Sequence, residues 1–564
     1  MTDNREKKRH MTGRGQMQGT KADRVLYAVL FLAAVVLFLA AGSGEPVLFD
    51  DSTVYLRVRP SEGVMPVYPL LILLNQYLFG DVAYLQAVII EQALLAAFCI
   101  VLFVVVVRKQ FALKGWESCI IFCFLLYPYT IEMPAAMMTQ IILTEGVAYS
   151  FFYLAVILFL KAVWNRHYGF LAGAAGVVFV LALIRSQLQI LFGVCGIICW
   201  YIVCMRRKQG DKKSVLLRIL SGAAACLMIS LTGVLLVSRI GSAYQRTLDE
   251  EGRLFYLAMK VQDYEDYLDC MEEQQELIEE QKKRIAQQNE LAGQQDNAKI
   301  SVDDLPKKVW KKALVDKPFT VSQHVSLIFS RGMYEADPED VSLFEDEVLQ
   351  GLFLKLYETA DAQEQLHSYA KQGLWMWKDI VDGIGMIGKT CFMTPSEYYV
   401  AEYPEIIQSD EFSNIRNTHL TTIGMTLVRA HFGRFLYHTL MLLPQAFVST
   451  VFFQMAPVYL LCHLVTLFLY LSAFAMMIWA YVDRRVDNRY AEFMAFVLGS
   501  NVVIVVLISI VFFGQQRYLV YNFGVFYTAY YLLLRQLWRC RVREWVSCKR
   551  IRGCATEQDR QKRM

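Results

Sequence analysis

The sequence carries little charge, and it lacks the patterns that mark several classes of soluble protein. Only 19% of its 564 residues are charged, whereas about a quarter are charged in a typical soluble domain. None of the 13 cysteines follows the C-x2-C spacing of a zinc site. No basic stripe with interleaved aromatic residues predicts nucleic-acid binding. The 55% of apolar residues instead indicate an integral membrane protein.

The N-terminus does not have the pattern of a cleavable secretion signal. A basic segment, residues 1–24, precedes an apolar stretch from Val25 to Gly42. This stretch is longer than the apolar core of a signal peptide, and further apolar stretches follow it. We therefore predict a signal anchor whose basic segment stays in the cytoplasm.

A helix needs about 20 apolar residues to cross a bilayer, and the sequence contains ten such helices by our count. Two long apolar blocks, Trp116–Leu160 and Tyr168–Met205, are interrupted near Tyr127–Pro134 and Arg185–Gln187 and are predicted to be helical hairpins. The other predicted spans are single: Val25–Gly42, Tyr84–Val107, Val215–Val237, Pro457–Tyr481, Phe493–Phe513 and Tyr518–Leu534.

The distribution of basic residues predicts the sidedness of these spans. Lys and Arg concentrate in cytoplasmic loops, and with the N-terminus inside, every predicted cytoplasmic segment is basic. These segments are Arg108–Lys114, Lys161–His167, Arg206–Arg218, Asp483–Arg489 and the tail from Arg535. We predict a multi-pass protein of the cell membrane with both termini in the cytoplasm.

This topology divides the chain into regions. Residues 25–238 hold spans one to seven with a first outer loop at 43–83, and residues 239–425 form a mainly helical extracytoplasmic domain. Residues 426–535 hold an interfacial helix and spans eight to ten, and residues 536–564 form the basic tail. Cys270 and Cys391 in the outer domain either form a disulfide, if the compartment is oxidising, or stay buried thiols.

Two short apolar segments are predicted to lie flat at the outer membrane interface. Phe435–Phe453 has Pro444 near its middle and basic residues before it, which suits an interfacial helix better than a span. Met65–Phe79 is too short to cross. Glu91, inside the second span, is expected to form a hydrogen-bonded pair with another helix.

Asp50 and Asp51 follow the first span directly, in the stretch Phe49-Asp50-Asp51-Ser52-Thr53-Val54-Tyr55. A carboxylate at a membrane boundary is partly desolvated, and desolvation raises its proton affinity toward that of a useful base. The pair would serve as a general base or hold a metal ion; the alternative is a polar helix cap.

Further ionisable residues fall on the same predicted side of the membrane. Thr144-Glu145 opens the fourth span, Arg185 follows the fifth, and Arg517-Tyr518 lies in the last outer loop. Ionisable groups at membrane depth are costly and are functional by default. Each one alone is also compatible with an interface residue that pairs with a lipid phosphate. Together they indicate a surface suited to a phosphorylated substrate.

The order of these motifs resembles the polytopic glycosyltransferases of the GT-C fold, especially the protein O-mannosyltransferases and the aminoarabinose transferases. Asp51-Ser52-Thr53-Val54-Tyr55 looks like the acidic motif of their first outer loop, and Pro66-Val67-Tyr68-Pro69 looks like the proline-rich element that follows. The family also has a Thr-Glu at the start of the fourth span, an arginine after the fifth span and an Arg-Tyr in a late outer loop. The residues here that look like these motifs are Thr144-Glu145, Arg185 and Arg517-Tyr518. Ser186 departs from the proline that usually follows the arginine, and the outer domain resembles no family we can name.

The resemblance implies an inverting transfer of a sugar from a polyprenyl phosphate to an acceptor hydroxyl on a glycan, lipid or protein. It also implies a reaction without a nucleotide, a metal or another cofactor, although Asp50 and Asp51 could bind a metal ion. The residues implied are a base, Asp51 or alternatively Asp50; Glu145 as an orienting carboxylate; donor-phosphate ligands Arg517, Arg185, Arg57, Arg59 and Tyr518; and substrate-positioning Tyr55 and Tyr68.

Two other functions stay open at this level. An O-antigen-type glycan polymerase or ligase relies on arginine and histidine in its outer loops, and this sequence offers His324, His367, His419, His431 and His438 there. A non-enzymatic transporter would carry charged or broken helices near the midplane and an inverted repeat, and the sequence has no visible repeat.

Overall fold

The computed structural model describes residues 21–41, 44–48, 52–56, 64–132, 136–206, 212–250, 323–371, 376–403, 412–452, 459–483, 485–511 and 519–561. This part of the chain is helical, and its β pairing is limited to one isolated bridge between Val47 and Ile141. The predicted all-α class is therefore confirmed.

The part of the chain that the structure describes holds sixteen α-helices. In chain order they are α1 Lys21–Ala40, α2 Ser52–Leu56, α3 Val67–Phe111, α4 Gly115–Leu126, α5 Thr144–Asn165, α6 Tyr168–Ile184, α7 Leu191–Arg206, α8 Lys212–Glu250, α9 Gln323–Tyr334, α10 Glu347–Ala362, α11 Met376–Glu402, α12 Phe412–Ala430, α13 Phe432–Ser449, α14 Tyr459–Val482, α15 Asn488–Val511 and α16 Phe523–Gln561.

Seven helices in the described ranges are long and apolar enough to cross a membrane, as expected of a multi-pass membrane protein. These segments are Lys21–Ala40, Val67–Phe111, Thr144–Asn165, Ser186–Cys204, Leu220–Tyr244, Leu460–Val482 and Asn488–Ile510. The other predicted spans correspond to α4, α6 and α16. Because α4 has 12 residues and α6 has 17, the count of ten stays a prediction.

The long helix α3 consists of two stretches that meet at Gly80. The backbone of Gly80 has φ 73° and ψ 173°, a conformation open essentially to glycine alone. Asn75 before the bend donates a hydrogen bond to Glu91 after it, at 2.9 Å, so the first stretch folds back along the second. We expected the partner of Glu91 on another helix, and it is Asn75 on the stretch of α3 before the bend. The bend separates the predicted Met65–Phe79 helix from the span.

Charged residues gather at the end of the bundle where α3 stops. Arg108 forms an ion pair with Asp23 at the start of α1. Arg535 of α16 binds Glu117 at the start of α4 and donates to the backbone carbonyl of Phe111. The same end holds Tyr490 of α15, whose ring lies 4.5 Å from that of Phe111. We call this the basic end of the bundle.

The second helical unit, formed by α9 to α12, has a hydrophobic core of its own, built around side chains such as Phe329, Leu356, Ile384 and Leu420. Helices α9 and α12 cross so closely that a Cβ atom at Gly332 would lie 2.3 Å from the Gly424 backbone. The unit belongs to the predicted outer domain. Cys270 and the side chain of Cys391 lie outside the described residues, so the predicted disulfide stays untested.

Candidate active site

The carboxylate of Glu145 and the guanidinium of Arg185 form an ion pair at 2.5 Å. Glu145 lies in the first turn of α5, which begins after the extended residue Leu143, and an acidic residue there is favoured by the helix dipole. Arg185 is the extended residue that ends α6. The Glu145 side chain is 2% exposed and that of Arg185 is 11% exposed, so the pair is shielded from solvent.

Local hydrogen bonds orient both members of this pair. Thr144 donates its hydroxyl hydrogen to the second carboxylate oxygen of Glu145 at 3.0 Å. Arg185 donates from Nε to the side chain of Gln187 at 3.3 Å. The predicted Thr-Glu and Arg motifs therefore meet, although they belong to the beginning and the end of consecutive helices.

Tyrosine side chains surround the ion pair. Tyr68, at the start of α3, is fully buried, and its ring packs edge-on against Tyr55 of α2 with centroids 5.3 Å apart. The Tyr68 side chain lies near Glu145. Tyr149, one turn after Glu145, packs against Tyr521 at 4.8 Å. Four separate segments thus bring polar aromatic side chains to one place.

The loop just before Thr144 contains the buried side chain of Gln140. The amide of Gln140 donates to the carbonyls of Phe38 and Ala41 at the end of α1. The backbone N–H of Val47 donates to the carbonyl of Gln140 at 2.9 Å, and the N–H of Ile142 donates to the carbonyl of Val47 at 3.0 Å. The residues after α1 are therefore joined to the residues just before Thr144.

The structure describes only part of the predicted site. Glu145, Arg185, Tyr55 and Tyr68 are brought together. The remaining predicted residues lie outside the described residues: Asp50, Asp51, Arg57, Arg59, Arg517 and Tyr518. Their roles stay predictions.

A second polar cluster lies where the helical unit meets α13. Asp337 accepts a hydrogen bond from Arg434 at 2.7 Å, and His438 lies 2.8 Å from the fully buried Glu335. His431 contacts Asp340 at 2.7 Å. The sequence predicted that His431 and His438 lie in an outer loop. It did not predict their carboxylate partners, because no local motif marks these residues.

Arg434 organises this second cluster. It donates to Nε2 of His367 and to Nδ1 of His431, so each of these two ring nitrogens accepts a hydrogen bond in this arrangement. Its hydrogen bond lowers the pKa of Asp337 below the usual value. Burial, together with the Arg434 charge, lowers the pKa of His367.

Asp337, Asp340 and His431 place one ligand atom each within 4.8 Å of one another, as a metal site requires. A histidine that binds a metal through Nε2 carries its proton on Nδ1, where it donates to an acceptor. Here Nδ1 of His431 faces the Arg434 donor, and Arg434 also binds Asp337. This arrangement does not fit a metal ion, since the guanidinium already supplies the positive charge.

Comparison of the chain with protein-family models, curated proteins and solved structures finds no match.

Proposed function

We propose that the protein is a membrane glycosyltransferase that moves a sugar from a polyprenyl phosphate to an acceptor hydroxyl on the extracytoplasmic face. The observation that carries the proposal is the buried Glu145–Arg185 ion pair with Tyr68 and Tyr55 beside it. These are four of the residues that the resemblance to GT-C enzymes assigns to the site. A polyprenyl tail suits the architecture, because it stays in the bilayer while the headgroup reaches the site.

In the proposed reaction Asp51 takes the proton of the acceptor hydroxyl, with Asp50 as the alternative base. The acceptor oxygen forms a bond to the anomeric carbon, the bond from that carbon to the phosphate oxygen breaks, and the configuration inverts. Polyprenyl phosphate leaves as an anion. Cations aimed at the developing charge lower the barrier for such a step.

Arg185 and Arg517 are the proposed ligands of the leaving phosphate, with Tyr518 beside them and Arg57 or Arg59 as a further donor. A guanidinium offers several N–H donors in a planar fork that fits phosphate oxygens. Glu145 holds the Arg185 fork in place, since their ion pair is buried. Tyr55 and Tyr68 line the side of the site where the acceptor binds. The proposal needs no metal and no nucleotide.

The test is sugar transfer from a synthetic polyprenyl-phosphate sugar by the full-length protein in nanodiscs. We expect Asp51→Asn to abolish transfer while the protein inserts and melts like the parent. Asp81→Asn is the matched control, because Asp81 is exposed and accepts one side-chain hydrogen bond, from Gln76. Full activity in both Asp50→Asn and Asp51→Asn would overturn the assignment of the base.

The histidine cluster favours a second candidate, a glycan polymerase or ligase that works through arginine and histidine. Arg434, His367 and His431 are in contact, as such chemistry would require. In that case Arg434→Gln and His431→Gln would abolish glycan joining, while Asp51→Asn would leave it intact. The two sets of variants separate the candidates.

A further inference from the structure

Helix α13 has one buried face and one exposed apolar face. Phe432, Leu436 and Leu440 are 58%, 46% and 53% exposed. Residues spaced by four lie on the same side of a helix, so these three side chains form a continuous apolar stripe. His438 and Gln445 belong to the opposite, buried face, and Thr439 is buried at its edge.

The position of α13 in the fold is fixed by its contact with α15. Ala446 of α13 packs with Val505 and with the neighbouring Ile504 and Ile508, which lie in the last turns of α15. The first turn of α15 contacts the basic end through Tyr490 and Phe111. Helix α13 therefore lies against the opposite end of a membrane-spanning helix.

The buried face of α13 is bound to the helical unit. Arg331 of α9 donates to the hydroxyl of Thr439 and stacks on the Phe435 ring, with 4.6 Å from its guanidinium carbon to the ring centroid. Glu335 pairs with His438. With the Arg434–Asp337 pair, these contacts hold the helical unit on one side of α13 and leave the stripe on the other.

We propose that the Phe432–Leu436–Leu440 stripe docks into the lipid of the membrane surface at the end of the bundle away from the basic end. A helix with an apolar face and a polar face lies in the plane of the interface with its apolar face in the lipid. The helical unit then rests on the bilayer through α13, at a height that the Ala446–Val505 contact sets.

Lipid fits the stripe better than a second copy of the chain. A stable protein interface buries about 800 Å² per partner, and three side chains of one helix offer much less. The stripe also continues from a membrane span, since the same helix packs on α15. Because Arg434 and His438 face protein partners, α13 does not have to bury a charge to enter the interface.

The test is photocrosslinking of the full-length protein in nanodiscs of phosphatidylethanolamine and phosphatidylglycerol. The photoreactive residue p-benzoylphenylalanine replaces Leu436 or, separately, Leu440. Phe468, 65% exposed on the span α14, is the lipid-facing reference, and Leu354, 40% exposed on α10, is the water-facing reference.

We expect protein–lipid adducts by mass spectrometry at positions 436, 440 and 468, and none at 354. An adduct at 468 with none at 436 or 440 would overturn the proposal. A covalent dimer from position 436 on a denaturing gel would also overturn it, because the stripe would then cover a second copy. The readout is independent of sugar transfer, so it stands apart from the proposed function.

Discussion

The carboxylate of Glu145 meets the guanidinium of Arg185 at 2.5 Å, and both side chains are almost fully buried. Removing one partner of a buried ion pair leaves the other charge without compensation, and this costs about 3–5 kcal/mol. We therefore expect Glu145→Gln and Arg185→Gln each to destabilise the protein by about that amount. The double variant should lose less than the sum of the two. Thermal unfolding in detergent measures all three.

The exposed pair Lys378–Asp382 is the control for that cycle. Both side chains are more than half exposed, and such pairs contribute about 0–1 kcal/mol. Lys378→Gln and Asp382→Asn should change the melting temperature very little. Additive losses at Glu145 and Arg185 would mean that the two groups do not interact.

We expect Gly80→Ala to destabilise the protein because of the backbone conformation at this position alone. A methyl group at Gly80 would meet nothing within 4 Å, but the φ of 73° and ψ of 173° strain any other residue by about 1–3 kcal/mol. Gly176, inside α6, also has open space around it. Gly176→Ala should be neutral or stabilise by up to about 1 kcal/mol. Equal melting temperatures for the two variants would refute this reading of the bend.

Gln140 is expected to matter for both stability and activity. Its side chain is buried and donates to two carbonyls at the end of α1, and an unsatisfied buried acceptor costs about 1–3 kcal/mol. Gln140→Leu should lower the melting temperature and reduce sugar transfer. Gln86→Leu is the control, because exposed Gln86 makes one long bond of 3.5 Å to Gly44. Unchanged transfer in Gln140→Leu would separate this loop from the site.

Acid should loosen the helical unit in two separate steps. The folded-state pKa of His367 is lowered by burial and by Arg434 from its ordinary 6.5, so the neutral form is favoured in the folded state. Stability from this group is present above pH 6.5 and falls as the pH drops below that value. The pKa of Asp337 is lowered from 3.8 by Arg434, and its contribution is lost only as the pH falls below 3.8.

Melting temperatures between pH 8 and pH 4 check the first step. His367→Gln should flatten the curve between about pH 6.5 and pH 5, because the variant no longer takes up that proton on unfolding. Part of the slope of melting temperature against pH should remain in this variant, because burial also lowers the pKa of His419. An identical curve in the variant would contradict the role given to His367.

Periodicity and length in the sequence already predicted the helical class, most of the membrane spans and the break before the second span. These features depend on local properties: a bilayer requires about 20 apolar residues in a row, and glycine permits a bend that other residues resist. The motif order also predicted that Glu145 and Arg185 lie on one surface, and these two residues form an ion pair. Sidedness, the full span count and the acidic base stay predictions.

Tertiary packing alone decided which polar groups are partners. Glu335 and His438, or Asp337 and Arg434, are separated by about a hundred residues of chain and lie in contact only because the residues that follow α9 meet α13. No local spacing encodes such a pair, since its geometry depends on how two distant helices cross. The sequence by itself determined that α13 is apolar and contains Pro444 near its middle. Which of its faces binds Arg331 and Glu335, and which is left for lipid, was decided by the fold, because burial depends on the neighbours that a helix meets.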